Sequence, residues 1–316
     1  MSAAGHHHRR TVIWRLSDGR AGHDAQSRGL VRAIAGLTQS DCYDIHCKPC
    51  RLNLVDYLSG RFPAGRDLPD PDLIIGAGHD THLPMLCAGR ARSGKTVVLM
   101  KPGLPVSWFD YCLIPAHDGP RKRARTIVTQ GALNTVTPSL QQDTCRGMIL
   151  VGGGSRYFRW SNAALLRQIT AVLNGSTLQW QITDSTRTPA VTRRSLQAFT
   201  ADTIHFVPFQ SCAPEWLPGQ LQQTATVWVT EDSISMIYEA LTAGAAVGIF
   251  RMPLKKRGRL SRAIEDLVGK QMITPFENWK TGADLAAPTP PLNEAERCAK
   301  LLLGRLALSG DLSDNG

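Results

Sequence analysis

A polar stretch between two apolar runs contains the first residues whose types and spacing could do chemistry. The β-branched run 226–229 leads into Thr230 and a polar cluster, after which apolar residues recur at helical spacing. Asp232 and Ser233 stand where such a helix would be capped. The free N–H groups and the dipole of a helix start favour phosphate. We therefore predict an anion site here, to which Thr230, Ser233, Ser235 and Met236 contribute.

Glu239 lies about two turns into the same predicted helix, off its apolar face. A carboxylate at this position can accept hydrogen bonds from the hydroxyl groups of a ribose. A phosphate site beside a ribose site would bind a nucleotide. The alternative is a capped helix with a solvated glutamate and no ligand.

A second candidate is the loop Gly152-Gly153-Gly154, which Ser155 and Arg156 follow. It stands between an apolar strand and a helical pattern. Because glycine has no side chain, the loop would let the backbone approach a phosphate. Arg156 or Arg187 could then neutralise the phosphate charge. The alternative is a tight strand-to-helix turn without a ligand.

Polar residues also follow two predicted strands in the first half of the chain. Asp18 follows the strand at 11–16, while His79 and Asp80 follow the strand at 72–75. Ligands of open α/β sheets bind at the carboxyl ends of the strands. We therefore expect these three side chains to face a bound ligand.

The elements that must position these residues alternate between strands and helices. Predicted strands are 11–16, 43–47, 72–75, 96–100, 111–114, 126–128, 148–151, 177–183, 203–207, 226–229 and 246–250. Predicted helices are 25–37, 81–91, 161–173, one capped by Thr188 with Pro189 first, one closed by Gly244, 260–268 and 293–306. This alternation predicts an α/β fold with parallel sheets and helices on both faces.

The polar, turn-rich stretch 131–142 interrupts this alternation, and we place the domain boundary there. A disordered tail would occupy residues 1–10 and a first α/β domain residues 11–135. A second α/β domain would occupy residues 146–287. The remainder, 288–316, would form a C-terminal helix and tail.

The composition suits a globular protein with an anionic partner. The chain has 316 residues, 42% of them hydrophobic, and a formal net charge of +10. No apolar run is long enough for a membrane span or a secretory signal. Eight scattered cysteines favour a reducing compartment, so we expect a cytoplasmic protein. The basic runs 121–125 and 255–259 could bind an anionic surface, although each could equally be a solvated loop.

Two motifs match known patterns by letter and are declined. Residues 89–96 fit the P-loop consensus, but a predicted helix precedes them and a strand follows, the reverse of the required order. Cys42, Cys47 and Cys50 have a spacing found in some iron–sulfur proteins, but a fourth ligand at a plausible spacing is missing. We therefore expect no metal site.

Four motifs distributed over most of the chain resemble the mitochondrial fission ELM family, whose bacterial members carry the description glycosyltransferase. The motifs are Asp18-Gly19-Arg20-Ala21-Gly22-His23-Asp24, Val151 to Arg156 with Phe158-Arg159-Trp160, Thr183 to Pro189, and Thr230 to Met236 with Glu239-Ala240. The resemblance implies a GT-B-like fold of two Rossmann-like domains facing a cleft, without a metal requirement. Plant members of the family are linked to recruitment of a dynamin-related protein.

A more distant likeness is to the peptidoglycan GlcNAc-transferase that makes lipid II. The loop Gly19 to His23 looks like its glycine-rich loop, in which a histidine is the proposed base, and this implies His23 as the base. The likeness also implies that a sugar acceptor would lie on this side, where Asp18, Gly22, His79 and Asp80 would face it. The helix from Ser233 to Glu239 looks like its donor-binding helix, whose glutamate holds the ribose. A histidine suits removal of a proton from a hydroxyl near neutral pH.

These observations together predict a glycosyltransferase that moves a sugar from a nucleotide-diphosphate donor to an envelope glycan or lipid-linked acceptor. Gly153, Gly154, Ser155 and Arg187 would contact the diphosphate. The expected partners are the nucleotide sugar and an anionic membrane surface at the inner face, with no cofactor and no nucleic acid. The alternatives are a non-enzymatic adaptor and a sugar-nucleotide epimerase.

Overall fold

The computed structural model describes residues 10–47, 52–121 and 123–310. The predicted tail at residues 1–10 therefore lies almost wholly outside the described residues, as does Cys50. The chain divides into two compact units, one formed by Met1–Thr135 with Glu294–Gly316 and the other by Val136–Asn293.

Both units are built from alternating strands and helices. The strands are β1 Thr11–Ser17, β2 Ser40–His46, β3 Leu73–Ala77, β4 Lys95–Leu99, β5 Tyr111–Pro115, β6 Thr126–Thr129, β7 Asp143–Leu150, β8 Gln179–Thr183, β9 Ile204–Val207, β10 Thr224–Thr230, β11 Ala246–Phe250 and β12 Thr274–Pro275. The helices are α1 Ala21–Ala35, α2 Leu54–Leu58, α3 His82–Arg92, α4 Asn162–Asn174, α5 Ala190–Gln197, α6 Trp216–Gln223, α7 Ile234–Ala243, α8 Arg259–Gly269 and α9 Glu294–Gly310.

Each unit contains one parallel sheet of six strands. The order is β2-β1-β3-β4-β5-β6 in the first unit and β12-β11-β10-β7-β8-β9 in the second. The second order is that of the dinucleotide-binding Rossmann sheet. In the first unit the chain reverses direction across the sheet between β1 and β3, and in the second between β7 and β10. These are the points at which such sheets bind ligands.

Burial explains why the central strands form. All five residues of β3 and all five of β11 are buried, which is typical of parallel strands covered by helices on both faces. Apolar side chains of α1 and α9, including Leu30, Ile34 and Leu302, share one core cluster with β3. Burying each of these side chains contributes about 1.5–3 kcal/mol.

The final helix finds its partner in the first unit. Cys298, Ala299 and Leu302 of α9 are fully buried in the core cluster that contains Leu30 and Ile34 of α1. The Glu294 side chain accepts a hydrogen bond from the Gln130 amide (2.8 Å). The chain thus returns to the unit in which it began.

The predicted alternation is confirmed, but three short elements were not predicted. These are α2, α6 and β12. Helix α6 contains Pro218 and Gly219, which argue against a helix in sequence; Pro218 lies in its first turn, where the missing N–H is not needed. Residues 89–96 have the predicted inverted order, because they end α3 and begin β4.

Candidate functional site

The first unit brings Asp18 and His23 together at the carboxyl end of β1. The Asp18 side chain is fully buried, and its Oδ2 lies 2.7 Å from Nδ1 of His23. Its Oδ1 accepts a hydrogen bond from the Arg20 amide (3.0 Å). Because a carboxylate only accepts, Nδ1 of a neutral His23 carries the proton and Nε2 keeps its lone pair. With 18% of its side chain exposed, His23 can act as a base.

His23 lies in the first turn of α1 rather than in the predicted turn before it. The helix begins at Ala21, so the prediction of a start at residue 25 was wrong by four residues. No side chain caps it. Instead, Asp24 of the first turn accepts hydrogen bonds from Ser17 Oγ (2.6 Å) and from the buried Arg15 (3.0 Å). These contacts with β1 stand in place of a side-chain cap, and they join residues of different elements.

Gly78 is required for this arrangement and was missed by the sequence reasoning. Its φ is +91°, and a Cβ on it would lie 2.2 Å from His23 Nδ1 and 2.8 Å from Asp18 Oδ2. Any side chain at position 78 would therefore displace the pair. The glycine-containing run after β3 was the available signal, but its partner on α1 is distant in sequence.

The other predicted acceptor-side residues are only partly near this pair. Arg20 links Asp18 to the half-exposed Asp80, at 3.7 and 3.6 Å. Gly22 lies in α1 with open space where a Cβ would be. The His79 ring instead packs against His82, with ring centroids 5.2 Å apart.

His82 is a second titratable group that sequence did not single out. Burial, and then the nearby His79, lower its pKa from 6.5 to about 4. Its buried Nδ1 has no hydrogen-bond partner among the described residues. His82 is therefore neutral near pH 7, and its edge-on contact with Phe109 (5.5 Å) is a packing contact.

In the second unit, the glycine-rich loop is held by residues at the end of β10. The Gly152 amide donates to Thr230 Oγ1 (2.8 Å), and the Gly153 amide donates to Asp232 Oδ2 (2.9 Å). Thr230 is fully buried, so its hydroxyl orients the loop. The predicted contribution of Thr230 to an anion site is thus limited to holding the backbone.

Arg187 closes over the same loop. Its Nη1 lies 3.0 Å from Asp232 Oδ2 and 3.4 Å from the carbonyl oxygens of Gly153 and Gly154. A Cβ on Gly153 would lie 2.0 Å from the Arg187 carbonyl oxygen, whereas a Cβ on Gly154 would meet nothing within 4 Å. Gly153 is therefore a packing requirement, and Gly154 borders open space. The Arg187 side chain remains 43% exposed and can reach a ligand.

Asp232 does not cap α7, and this prediction was wrong. Its carboxylate is engaged by Gly153 and Arg187, and Ser233 occupies the N-cap position without a side-chain hydrogen bond to the helix. Burial of Asp232 raises the pKa of its carboxyl. The α7 start is thus left without a side-chain cap, next to the loop that Asp232 holds. Ser235 is exposed there, and Met236 is partly buried against the core.

Glu239 lies half-buried on α7 and makes no hydrogen bond or ion pair with the described residues. Burial raises the pKa of its carboxyl from 4.5 to about 7. A carboxylate held in this way without a partner is unfavourable for folding. An unpaired carboxyl on a helix with an uncapped start is an acceptor available to a ligand.

Ser155 and Arg156 are turned toward the next residues of their own loop. Ser155 Oγ accepts from the amides of Tyr157 and Phe158, at 3.2 and 3.1 Å. Arg156 donates to the Tyr157 hydroxyl (2.6 Å) and lies over its ring. The structure therefore favours Arg187 over Arg156 as the cation beside the glycine-rich loop.

Thr188 also differs from its predicted role. It does not cap α5, whose N-cap position is occupied by Pro189. Its Oγ1 instead donates to the carbonyl oxygens of the glycine-rich loop region, Val151 at 3.0 Å and Gly152 at a shorter distance. It thus joins the ends of β7 and β8.

Two buried ionic groups that sequence did not reveal support the neighbouring loops. Asp184 pairs with Arg193 and accepts from the Phe209 amide (2.7 Å). Glu231 pairs with Arg251 (2.7 Å), and burial raises the pKa of its carboxyl to about 7. Nothing in their local sequence distinguishes these residues from solvated charges.

Among the described residues, no group of three or more His, Cys, Asp or Glu side chains is placed to hold a metal ion. Likewise, none of the helices in the described ranges is long and apolar enough to cross a bilayer.

Comparison with known proteins identifies the family. The sequence model of a family described as Mitochondrial fission ELM1 matches residues 21–306 of this chain. The chain belongs to the mitochondrial fission ELM1 family. The resemblance predicted from the four motifs is therefore confirmed. Another relative, Uncharacterized protein RP120 of Rickettsia prowazekii (strain Madrid E), is 24% identical over 359 residues and covers 92% of this chain and 97% of its own.

Solved structures share the fold of this ELM1-family chain. A provisionally named UDP-N-acetylglucosamine 2-epimerase from Listeria monocytogenes has a TM-score of 0.60 at 10% identity, covering 97% of this chain and 98% of its own. The UDP-GlcNAc 2-epimerase from Neisseria meningitidis, bound to UDP-GlcNAc, has a TM-score of 0.57 at 11% identity, covering 95% and 100%. With the two parallel sheets, these likenesses confirm the predicted GT-B-like α/β fold class.

Proposed function

We propose that this ELM1-family protein transfers a sugar from a nucleotide-diphosphate donor to an acceptor hydroxyl. The observation that carries the proposal is Glu239, a partly buried carboxyl without a partner on a helix whose start is uncapped. Such a carboxyl would accept hydrogen bonds from the ribose hydroxyls. A bound nucleotide would thereby give the Glu239 carboxyl the hydrogen-bond partners that it lacks among the described residues.

The second unit would hold the diphosphate. Three groups there would supply hydrogen-bond donors and positive potential. They are the guanidinium of Arg187, the N–H groups at the start of α7 and the backbone on the exposed side of Gly154. Ser233, Ser235 and Met236 would contribute through these backbone groups. Ser155 and Arg156 would lie at the edge of the site.

The first unit would supply the base. His23 Nε2 would take the proton from the acceptor hydroxyl as the acceptor oxygen bonds to the anomeric carbon and the bond to the diphosphate breaks. Asp18 would hold the ring in the required tautomer and stabilise the imidazolium that forms. The negative charge that develops on the diphosphate would be stabilised by the arginine and amides of the second unit.

The acceptor we propose is an envelope glycan or a lipid-linked glycan with anionic character. The net charge of +10 and the basic runs support an anionic partner, and they would hold a cytoplasmic protein at the inner membrane face. This reaction requires a nucleotide sugar as substrate, and we propose no metal or other cofactor for it.

Isothermal titration with UDP, GDP and CMP tests the donor site. We expect binding of at least one of them, weakened at least about fivefold by Glu239→Ala because a hydrogen bond to a carboxylate contributes about 1.5–3 kcal/mol. Glu265→Ala, which removes an exposed carboxylate of α8, is the matched control and should bind as the parent does. Absence of binding to every nucleotide would remove the enzyme proposal.

Two alternatives remain distinguishable. The epimerase alternative is supported by the fold that this chain shares with UDP-GlcNAc 2-epimerases, and it predicts a changed sugar nucleotide in the absence of any acceptor. The adaptor alternative is supported by the family's description in mitochondrial fission. Under it, His23→Ala would leave the cellular phenotype intact while changes of surface residues abolish it.

A further inference from the structure

The first unit contains a cavity of about 430 Å³ near the carboxyl ends of β4 and β5. Residues after β4, between Lys101 and Ser107, form one wall, and Gly119, Pro120, Arg121 and Arg123 contribute to the other. None of the described residues that line it is acidic, and three are cations: Lys101, Arg121 and Arg123. We refer to it as the cationic cavity.

The lining of the cationic cavity is apolar between these cations. Leu104 and Val106 are partly buried, and Ile114 of β5 is buried beneath them. Trp108, which ends the 3-10 helix Val106–Trp108 beside the cavity, has 56% of its surface exposed. An exposed tryptophan beside cations is typical of surfaces that meet the interface of a bilayer.

The cations of the cavity differ in how they are used. Lys101 Nζ donates to the Asp118 carbonyl oxygen (3.4 Å). The exposed side chains of Arg121 and Arg123 make no hydrogen bond or ion pair with any residue in the described part of the chain. Two arginines that line one cavity, without acidic partners among the described residues, raise the local positive potential and are available to an anion.

The wall that carries the apolar residues is fixed in place. Arg125 donates to the carbonyl oxygens of Ser107 and Phe109, at 3.0 and 3.3 Å. Met100, at the start of the wall, has a φ of +71°, a backbone conformation that a side chain makes unfavourable. The Met100 amide nevertheless bonds to the Leu113 carbonyl oxygen (2.9 Å), which holds that turn. These hydrogen bonds hold the backbone of this wall of the cationic cavity.

We infer that the cationic cavity binds the phosphate head of an anionic lipid, with the proximal part of its acyl or isoprenoid chain on the apolar lining. Arg121 and Arg123 would pair with the phosphate oxygens, and Leu104 and Val106 would contact the chain. A soluble phosphate would use the cations alone. The inference rests on the proposed function in one respect, because it makes the acceptor a phosphate-linked lipid.

Co-sedimentation with vesicles tests this inference. Vesicles of phosphatidylcholine containing phosphatidic acid should bind the full chain, and vesicles of phosphatidylcholine alone should not. Arg121→Ala with Arg123→Ala should weaken binding about twenty-fivefold, since each basic residue near an anionic surface contributes about a factor of five. The control, Arg167→Ala with Arg194→Ala, removes the same charge from exposed positions of α4 and α5 and should bind as the parent does. Equal weakening by both pairs would overturn the inference in favour of a general charge effect.

Two further measurements locate the lipid. Phosphatidic acid with brominated chains should quench the tryptophan fluorescence of the parent protein more than that of Trp108→Phe, because the exposed Trp108 directly follows the lining residue Ser107. Leu104→Ser should weaken vesicle binding while leaving competition by inorganic phosphate unchanged. Displacement of the vesicles by inorganic phosphate at the affinity of the lipid would overturn the lipid assignment. UDP titration without lipid reports on the second unit, so a failure of the proposed function is seen separately.

Discussion

Each unit places a buried aspartate beside the reversal point of its parallel sheet, and the two units use that aspartate differently. Asp18 follows β1 and Asp232 follows β10, each where the strand order reverses. Asp18 binds the ring of His23, whereas Asp232 binds the Gly153 amide and Arg187. The first carboxylate orients a group that can exchange a proton, and the second orients groups that can hold an anion. The carboxyl ends of the two strands that flank a reversal point therefore serve two chemistries, one in each unit.

The largest effect is expected from Asp18→Asn, which tests the first half of this comparison. An amide can donate to Nδ1 and so favour the wrong tautomer of His23. Turnover should fall about a hundredfold to ten-thousandfold, while the affinity for UDP stays unchanged. Nitrogen NMR of the His23 ring would report the tautomer directly. Asp70→Asn, at an exposed carboxylate of the first unit that pairs with Arg92, is the control. Unchanged turnover and tautomer in Asp18→Asn would end the base assignment.

The next largest effect is expected from Gly153→Ala, with Gly154→Ala as its matched control. A Cβ on Gly153 would lie 2.0 Å from the Arg187 carbonyl oxygen, so the loop must shift. We expect the free energy of unfolding to fall by about 1–3 kcal/mol. A Cβ on Gly154 meets open space, so that variant should keep its stability and lose only nucleotide affinity. Chemical denaturation and titration separate the two results, and equal stability of both variants would contradict the packing argument.

Glu239→Gln tests the contrast between the hydrogen-bonded carboxylates of Asp18 and Asp232 and the carboxyl of Glu239, which has no partner among the described residues. Burial raises the pKa of Glu239 from 4.5 to about 7, so the native state resists ionisation that the unfolded chain permits. Below pH 4.5 the Glu239 carboxyl is protonated in both the native and the unfolded state, so its burial costs no stability. As the pH rises from there to about 7, the native state loses stability relative to the unfolded chain. The advantage of the glutamine variant should therefore grow across this range to about 1–3 kcal/mol and then level off. Glu265→Gln changes an exposed residue of α8, so the pH dependence of its free energy of unfolding should be parallel to that of the parent. A parallel curve for Glu239→Gln as well would contradict the raised pKa of Glu239.

The smallest effect is expected from replacing arginine by lysine beside the glycine-rich loop. Arg187→Lys keeps the charge but loses the planar donor array, so UDP affinity should fall about fivefold to tenfold. Arg156→Lys should change it less than about twofold, because Arg156 bonds to Tyr157 rather than to the loop carbonyls. Titration of both variants decides the ranking, and a larger loss at Arg156 would reverse our assignment.

The local elements were largely readable from sequence, and the departures have identifiable causes. Strand β11 was predicted with its observed bounds, and α3, α4 and α8 to within one residue at each end. The start of α1 was missed because Asp24 is anchored by Arg15 and Ser17 of another element. Helix α6 was missed because Pro218 and Gly219 outweigh its short apolar pattern.

The candidate site was predicted as a set of residue types but not as a set of contacts. Sequence selected His23, Arg187 and Glu239 as polar residues in motifs. It assigned Asp232 to a helix cap, although the carboxylate bonds to Gly153, whose amide lies far away along the chain. Gly78 was passed over because the group that excludes a side chain there is His23.

By itself, the sequence determined the order and type of the elements, because the periods of apolar residues and the turn residues act over a few neighbouring positions. Only the tertiary structure decided which buried aspartate orients a histidine and which orients a glycine loop. It also decided that α9 completes the core of the first unit. These outcomes depend on strand order, which brings together side chains from distant parts of the chain, and no local pattern encodes that order.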